Sequence, residues 1–192
     1  TQSGTKIPEV YLLPMSIDFY FKNRIVNKSI LINGRKTLSQ FSFKEEPLLI
    51  RLDPDEVLLL TLNQSKTVDG LLVQLKRDNV IGRHDAASLL SEHLSYPEVK
   101  KMLKRSALYD KSWFVRRSSL QSISSELIGK EWKSAYAREK HSQPRKTIIS
   151  LMSELYPNIA LELIRENLHK DKSYIVQAEM INQLGLIGDE SD

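Results

Sequence analysis

The apolar positions keep two different rhythms along the chain. From Leu13 to about Leu60 they alternate: in "SIDFYF", Ile17, Phe19 and Phe21 fall on one side and Asp18 and Tyr20 on the other. A period of two belongs to a strand with one buried face. "NKSILINGRKTLSQFSF" then predicts a hairpin, because Asn33-Gly34 tolerates positive φ at both centres of a tight turn. "KEEP" predicts a second turn, and in "LLIRLD" Leu48, Ile50 and Leu52 alternate with Leu49 and Arg51. "DPDE" at 53–56 closes the set with turn residues. The expectation for residues 1–62 is four or five short antiparallel strands of an Ig-like β-sandwich, with a first strand cut within "TQSG". So small a sheet is marginal alone and must lean on the residues C-terminal to it.

After Ser65 the period becomes helical. "KTVDGLLVQLKRD" places Val68, Leu71, Leu72 and Leu75 on one face. "YPEVKKMLKRSALYD" does so with Val99, Met102, Leu103 and Ala107, and "YPNIALELIRENLHKD" with Ala160, Leu163, Ile164 and Leu168. Pro97 suits a first helical turn, where a missing N–H costs nothing. The phrase "DKSWFV" at 110–115 returns as "DKSYIV" at 171–176, 61 positions later. In each copy the aspartate ends one helix, Lys-Ser makes the turn and the serine is positioned to cap the next helix. The following helix carries Val115, Leu120 and Ile123 in one copy and Val176, Ile181 and Leu184 in the other. "DNVIGRHDAASLL" contributes Ala87 and Leu90, and "SQPRKTIISLM" contributes Ile149 and Met152. Aligning Arg83, Arg116, Arg145 and Gln177 gives spacings of 33, 29 and 32 residues. Self-similarity at ~30–45 residues with two helices per unit predicts an α-solenoid. The units resemble HEAT repeats, and about four helix pairs fit between Ser65 and Ile187. Gln177 replaces the arginine in the last unit and the third unit lacks the aspartate, departures that weaken a ladder of Asp–Arg contacts and leave the helix count unchanged. The fold class expected is therefore mixed and mainly α: a short antiparallel sandwich over 1–62, then a HEAT-like solenoid over 65–192.

Length and composition narrow the chemistry. A chain of 192 residues buries roughly 70% of its unfolded surface and needs no staple to fold. It contains no cysteine, which excludes disulfides and thiolate metal sites and suits a reducing compartment; the expected location is cytoplasmic. No stretch approaches the ~18 consecutive apolar residues of a membrane helix, so no membrane partner is expected. The opening "TQSGTKIPEV" lacks a signal-peptide layout and a methionine, as a piece cut from a longer protein would. The net charge of +4 is segregated: +1 over residues 1–96, +8 over 97–146 and −5 over 147–192. Such asymmetry steers anionic partners or reflects two solvated faces, and the plainer reading is solvated faces.

Catalytic constellations are missing from the sequence. His84, His93, His141 and His169 stand far apart, with no H-E-x-x-H and no H-x-H to converge on zinc. "RRSSLQSISSEL" is a helical run with no G-x-S-x-G elbow. The seven glycines form no phosphate-cradling motif. Glu45-Glu46 reads as a solvated turn between strands. The candidate partner surface is basic: Arg83, Lys100, Lys101, Lys104, Arg116, Arg117, Arg145 and Lys146 would line one side of the solenoid. Phosphate gripping is one use of such a surface. No aromatic residues interleave with it as a base-stacking surface needs, so nucleic acid is not the expected partner. Trp113 and Trp132 read as core or inter-repeat packing.

The order of elements resembles something more specific. "INGRKTLSQFSFKEEPLLIRLDPD" is similar to a strand pair followed by a "P-x-x-V-x-L-D-P-x" strand. It leads through "KTVDGLLVQLKRDNVIGRHDAASLL" into a "Q-L-x-x-D-x-x-x-x-R-x-x-A" turn. Nearly the whole chain resembles the C-terminal region of the aminopeptidase N family of zinc metallopeptidases, where a β-sandwich leads into a HEAT-like helical domain. The resemblance implies a hydrolase parent whose zinc would lie in a catalytic domain absent from this chain. Neither H-E-x-x-H-x18-E nor G-x-M-E-N occurs here, so no catalytic or metal-binding residue carries over, and the chain itself is expected to be no enzyme and to hold no cofactor. The implied role is an accessory region that packs on its own catalytic domain and shapes peptide access, with a peptide able to touch the concave face. The alternatives are a free-standing HEAT-like protein-interaction scaffold and, more remotely, a basic solenoid that binds nucleic acid.

Overall fold

The structure is a computed structural model that describes residues 11–188. Among these residues the chain is mainly helical, with eight α-helices and one three-stranded antiparallel sheet. It divides into two compact units between Asn79 and Val80. The change of period lies earlier, at 62–65, because the first helix belongs with the sheet.

The first unit contains β1 (Leu13–Tyr20), β2 (Ile25–Ile32), β3 (Leu49–Leu52) and α1 (Val68–Arg77), with strand order β2-β1-β3. Met15, Ile17 and Phe19 of β1 are buried at alternate positions, as the period of two predicts, and Phe21 continues the row. The predicted hairpin at Asn33-Gly34 does not form. β2 turns back one step earlier, where the Phe21 N–H donates to Arg24 O at 2.8 Å, and pairs its whole length with β1 from Tyr20↔Ile25 to Leu13↔Ile32. "QFSF" lies over the sheet face as side chains and adds no strand. The Phe41 and Phe43 rings stand 5.0 and 4.8 Å from Phe19, and Phe43 is 5.1 Å from Phe21. Burying aromatic area on an existing face satisfies this segment without a ladder. No second sheet appears among the described residues, and the first strand expected in "TQSG" lies outside them.

The other sheet face is polar at its centre. Antiparallel register pairs Tyr20 with Leu49 and Asp18 with Arg51, so these residues share a face opposite the phenylalanines. α1 packs on β3, where Gly70 approaches Leu48 O and Leu49. Its N-cap is Thr67, whose Oγ1 accepts the Gly70 N–H at 3.1 Å. "DPDE" is a turn, as expected: Asp53 and Glu56 adopt positive φ, and the Asp53 carboxylate accepts the N–H groups of Val57 and Leu58 at 3.2 and 2.9 Å.

The second unit is helical: α2 (Val80–Leu90), α3 (Pro97–Tyr109), α4 (Trp113–Ser122), α5 (Gly129–Arg138), α6 (Ser142–Leu155), α7 (Pro157–Asn167) and α8 (Tyr174–Ile187). Pro97 and Pro157 each open a helix. α2, α4, α6 and α8 form one layer, each packed on the next, while α3, α5 and α7 each pack on the helix that follows them. Ala87, Leu90, Val99, Leu103, Val115, Leu120, Ile123, Ile149, Met152, Ala160, Ile164 and Val176 are buried, as the helical spacing predicts. α8 departs from it. Ile181 is exposed, and the buried row runs Val176, Met180, Gln183.

Candidate functional site

The turns between paired helices share one construction. Asp110 follows α3 in extended conformation and accepts the Ser112 N–H on Oδ1 at 2.8 Å. Asp171 accepts the Ser173 N–H at 2.9 Å, and Glu139 accepts the His141 N–H at 2.7 Å. Ser112 and Ser173 occupy the N-cap positions as expected, yet neither hydroxyl makes a capping hydrogen bond. The carboxylate two residues earlier organises the turn instead, a local competition typical of short acidic side chains.

Each carboxylate also receives an arginine fork from the preceding helix of the α2–α8 layer. Arg83 donates to Asp110 at 2.9 and 3.0 Å, Arg116 to Glu139 at 2.6 and 2.7 Å, and Arg145 to Asp171 at 2.8 Å through both nitrogens. Arg116 also donates through Nη1 to Asp110 O at 2.7 Å, and Arg145 to Lys140 O at 2.7 Å. Each of these two arginines therefore ties its own turn to the next one. Gln177 keeps only the first half of this role, donating to Asp171 O at 2.8 Å. The sequence weakened the case for such a ladder because the third unit lacks an aspartate. Glu139 fills that place, six residues before Arg145, as Asp110 stands six before Arg116 and Asp171 six before Gln177. That offset was the signal available in the sequence.

The bidentate geometry makes these strong, directional contacts. Burial would raise the Glu139 carboxyl, but the Arg116 hydrogen bonds, the His141 N–H and the Arg116 charge outweigh it and hold Glu139 below its ordinary value. Asp171 behaves likewise: burial opposes, while Arg145, the Tyr136 hydroxyl at 2.6 Å and the Ser173 N–H prevail. Burial, then the hydrogen bond to Asp171, pushes the Tyr136 phenol up. The first unit has a counterpart. Arg51 meets Asp78 at 2.8 Å, the Tyr20 hydroxyl donates to Asp78 at 2.8 Å, and burial followed by that bond pushes the Tyr20 phenol up.

Most residues of the expected basic surface have carboxylate partners, and the lysine side chains among them stay open to solvent. Arg83, Arg116 and Arg145 are ladder rungs. Lys100 meets Glu126 at 2.8 Å, Lys104 pairs with Glu131, Lys101 lies 3.9 Å from Glu98 and Lys146 lies 3.7 Å from Glu179. Of the eight residues only Arg117 has no ion pair among the described residues. The charge segregation along the sequence is partly an internal match, since Arg145–Asp171, Lys133–Glu162 and Lys146–Glu179 join the basic stretch to the acidic one.

Two histidines do inter-helix work. His84 of α2 stacks on Phe114 of α4 at 4.0 Å, and His141 stacks on Trp113 at 4.3 Å. Trp132 is fully buried. Among the described residues no group of His, Asp or Glu side chains is placed to hold a metal ion, and no helix is long and apolar enough to cross a membrane.

Two adjoining hollows of about 310 and 330 Å³ open between α3 and α5 and share Ala107 and Leu108. Leu120, Ala135 and Ile148 line one, and Leu127 lines the other. Their rims carry the Lys104–Glu131 pair and Arg138, whose guanidinium stands 4.9 Å over the Tyr109 ring. The small side chains of Ala107, Ser134 and Ala135 leave this space; the first hollow is also lined by Asp110, Arg116, Glu139 and Lys140, and the second is the more apolar of the two. Compared with protein-family models and with curated proteins, the chain matches none.

Proposed function

We propose that this chain is a non-catalytic accessory region: a sheet that forms one layer of a β-sandwich, followed by a HEAT-like α-solenoid. It would be the C-terminal part of an aminopeptidase-N-type zinc metallopeptidase. In this reading the zinc and the catalytic residues belong to another domain, on which these residues pack while shaping the access of peptides.

The observation that carries the proposal is the turn ladder. Carboxylates and arginines recurring at a near-constant offset lock neighbouring helix pairs into a fixed translation, which is what a stacked repeat array requires. The tight α2–α8 layer against the more widely spaced α3, α5 and α7 supports a curved array with the tight layer inside. Because the buried charges are committed to one another, they serve as architecture in this reading rather than as reagents. The resemblance carried by "LLIRLDPD" and the Q-L-x-x-D-x-x-x-x-R-x-x-A pattern supplies the family, with Gln74, Asp78 and Arg83 as its polar positions.

The experiment has two arms. Zinc content and hydrolysis of an aminoacyl fluorogenic substrate are measured on the chain, where neither is expected; stoichiometric zinc with turnover overturns the reading. The reading frame upstream of Thr1 is then translated, and several hundred residues containing H-E-x-x-H are expected. A natural start at that point instead favours the second reading, a free-standing protein-interaction scaffold, for which the mainly apolar hollow lined by Ala107, Leu108 and Leu127 speaks.

A further inference from the structure

α3 and α5 each pack on the helix that follows them rather than closely on each other, and the two hollows between them form one groove. The lining advances together along both helices. Lys104 stands with Lys130 and Glu131 in one hollow, and Tyr109 and Asp110 stand with Arg138 and Glu139 in the other. The hollows therefore lie one behind the other along the helix axes. Ser134 lines one and Arg138 the other, four residues or ~6 Å apart on α5. That step is close to the ~6.6 Å between alternate side chains of an extended peptide. The apolar lining is immobilised by the core, since Leu120, Leu127 and Ile148 are buried.

The charges around the groove are unbalanced. Glu131 pairs with Lys104, Glu139 with Arg116 and Asp110 with Arg83, so each lining carboxylate is already matched. Lys130, Arg138 and Lys140 are exposed, and none has a carboxylate within ion-pair distance among the described residues. Arg138 stands over the Tyr109 ring, a contact that uses its charge and occupies none of its N–H donors. Three uncommitted cations thus rim a groove whose anions are all committed.

We propose that this groove docks a short extended segment of another protein, carrying two large apolar side chains at alternate positions among aspartates and glutamates. The apolar side chains fill the two hollows, and the segment's carboxylates meet Lys130, Arg138 and Lys140 along the rim. Anchors in pockets supply the affinity of such a contact, and the opposed charges supply its specificity. A second copy meeting groove to groove would set like charges against each other. The inference goes beyond the functional reading, in which a peptide substrate would touch the concave face. This groove opens between helices of the other layer, and neither zinc nor a catalytic domain enters the argument.

Selection of a displayed library of random twelve-residue peptides on the 192-residue chain tests it. Enriched peptides are expected to combine alternate large apolar residues with Asp or Glu, and their binding, read by fluorescence anisotropy, should weaken as salt is raised. Ser134→Phe fills the more apolar hollow from an exposed position, and Arg138→Glu reverses the rim charge. Each should weaken binding roughly tenfold or more, the scale of one charge-assisted hydrogen bond or one lost anchor, while the melting temperature stays with the parent chain. No enrichment overturns the inference. So do enriched peptides without acidic residues, and binding that survives both variants. Self-association of the chain that Ser134→Phe abolishes also overturns it and assigns the groove to a second copy.

Discussion

Arg51 reaches Asp78 from a strand, with the Tyr20 hydroxyl on the same carboxylate, and among the described residues of the sheet unit nothing repeats the arrangement. Arg83, Arg116 and Arg145 reach their carboxylates from α2, α4 and α6, and the same contact recurs at the turns after α3, α5 and α7. Asp78 precedes Asp110 by 32 residues, in step with the turn series, and within the sheet unit it meets Arg51 and the Tyr20 hydroxyl. The comparison separates two uses of a buried ion pair. In the sheet unit it is a single knot holding α1's end to β3. In the helical unit it is a coupling between neighbours, because each central arginine holds two turns at once.

Breaking the knot should have the largest effect. Asp78→Ala strands the Arg51 cation in a site where both side chains are almost fully buried, and removes the acceptor of the Tyr20 hydroxyl. Removing one partner of a buried pair costs about 3–5 kcal/mol. Urea unfolding is expected to show a loss in that range, and a loss below about 1 kcal/mol would mean that Asp78 is solvated and the knot does not exist.

The ladder should respond somewhat less per rung, because Arg116 and Arg145 retain some access to water. Arg116→Met leaves Glu139 without its fork and is expected near the low end of about 3–5 kcal/mol. The sharper measurement is a double-mutant cycle with Glu139→Gln. Contacting residues couple by about 0.5–3 kcal/mol, while independent sites add. Additivity would reduce the ladder to a set of unrelated contacts.

The titration behaviour distinguishes the two units again. Glu139 and Asp171 are held below their ordinary values in the folded chain. Their contribution is complete above the ordinary carboxylate range and is lost as pH falls through the folded values. Acid loss of stability is thus expected to be shallower in Glu139→Gln than in the parent chain. On the alkaline side Tyr20 and Tyr136 are raised. Their contribution is complete below a pH of about 10 and declines above it as the unfolded phenol ionises. Tyr20→Phe and Tyr136→Phe should each remove part of that alkaline decline, one from each unit. Identical profiles in parent and variants would show that these groups carry no linkage.

The helical unit was the more legible in the sequence, and repetition is the reason. A single helical face is ambiguous, but Val99, Leu103 and Ala107 recur as Ala160, Ile164 and Leu168 beside a duplicated turn, and the register is then fixed twice. What escaped was the identity of the acid in the third turn. A search for aspartate passes over Glu139, although geometry asks only for a carboxylate six residues before the arginine. Ile181 escaped for a different reason: periodicity marks an apolar position and cannot say whether a neighbour covers it, and here the side chain is exposed. The pairing of the candidate basic residues was not legible either, because Lys100, Lys104 and Arg145 find carboxylates 26 or 27 residues away, a distance that no local reading spans. In the sheet unit the alternation along β1 matches its buried face, while the turn lies elsewhere than the sequence suggests. Asn33-Gly34 has the strongest local turn signal in the chain, yet the pairing of β2 with β1 settles the topology.

That displaced turn offers the smallest and most discriminating measurement. In a two-residue hairpin Gly34 would need positive φ, and an alanine there would be strained and destabilising by more than about 0.4–1 kcal/mol. In the folded chain Gly34 lies outside the left-handed region, and a Cβ placed on it would meet only Lys36 O and N at 3.5 and 3.9 Å, ordinary contact distances. An alanine then costs nothing in the native state and removes freedom from the unfolded one. Gly34→Ala should therefore stabilise the chain by up to about 0.4–1 kcal/mol, a shift in urea midpoint toward higher concentration. The sign alone decides. A shift toward lower concentration would restore the tight turn that the sequence suggests, and with it a fourth strand running through Phe41 and Phe43.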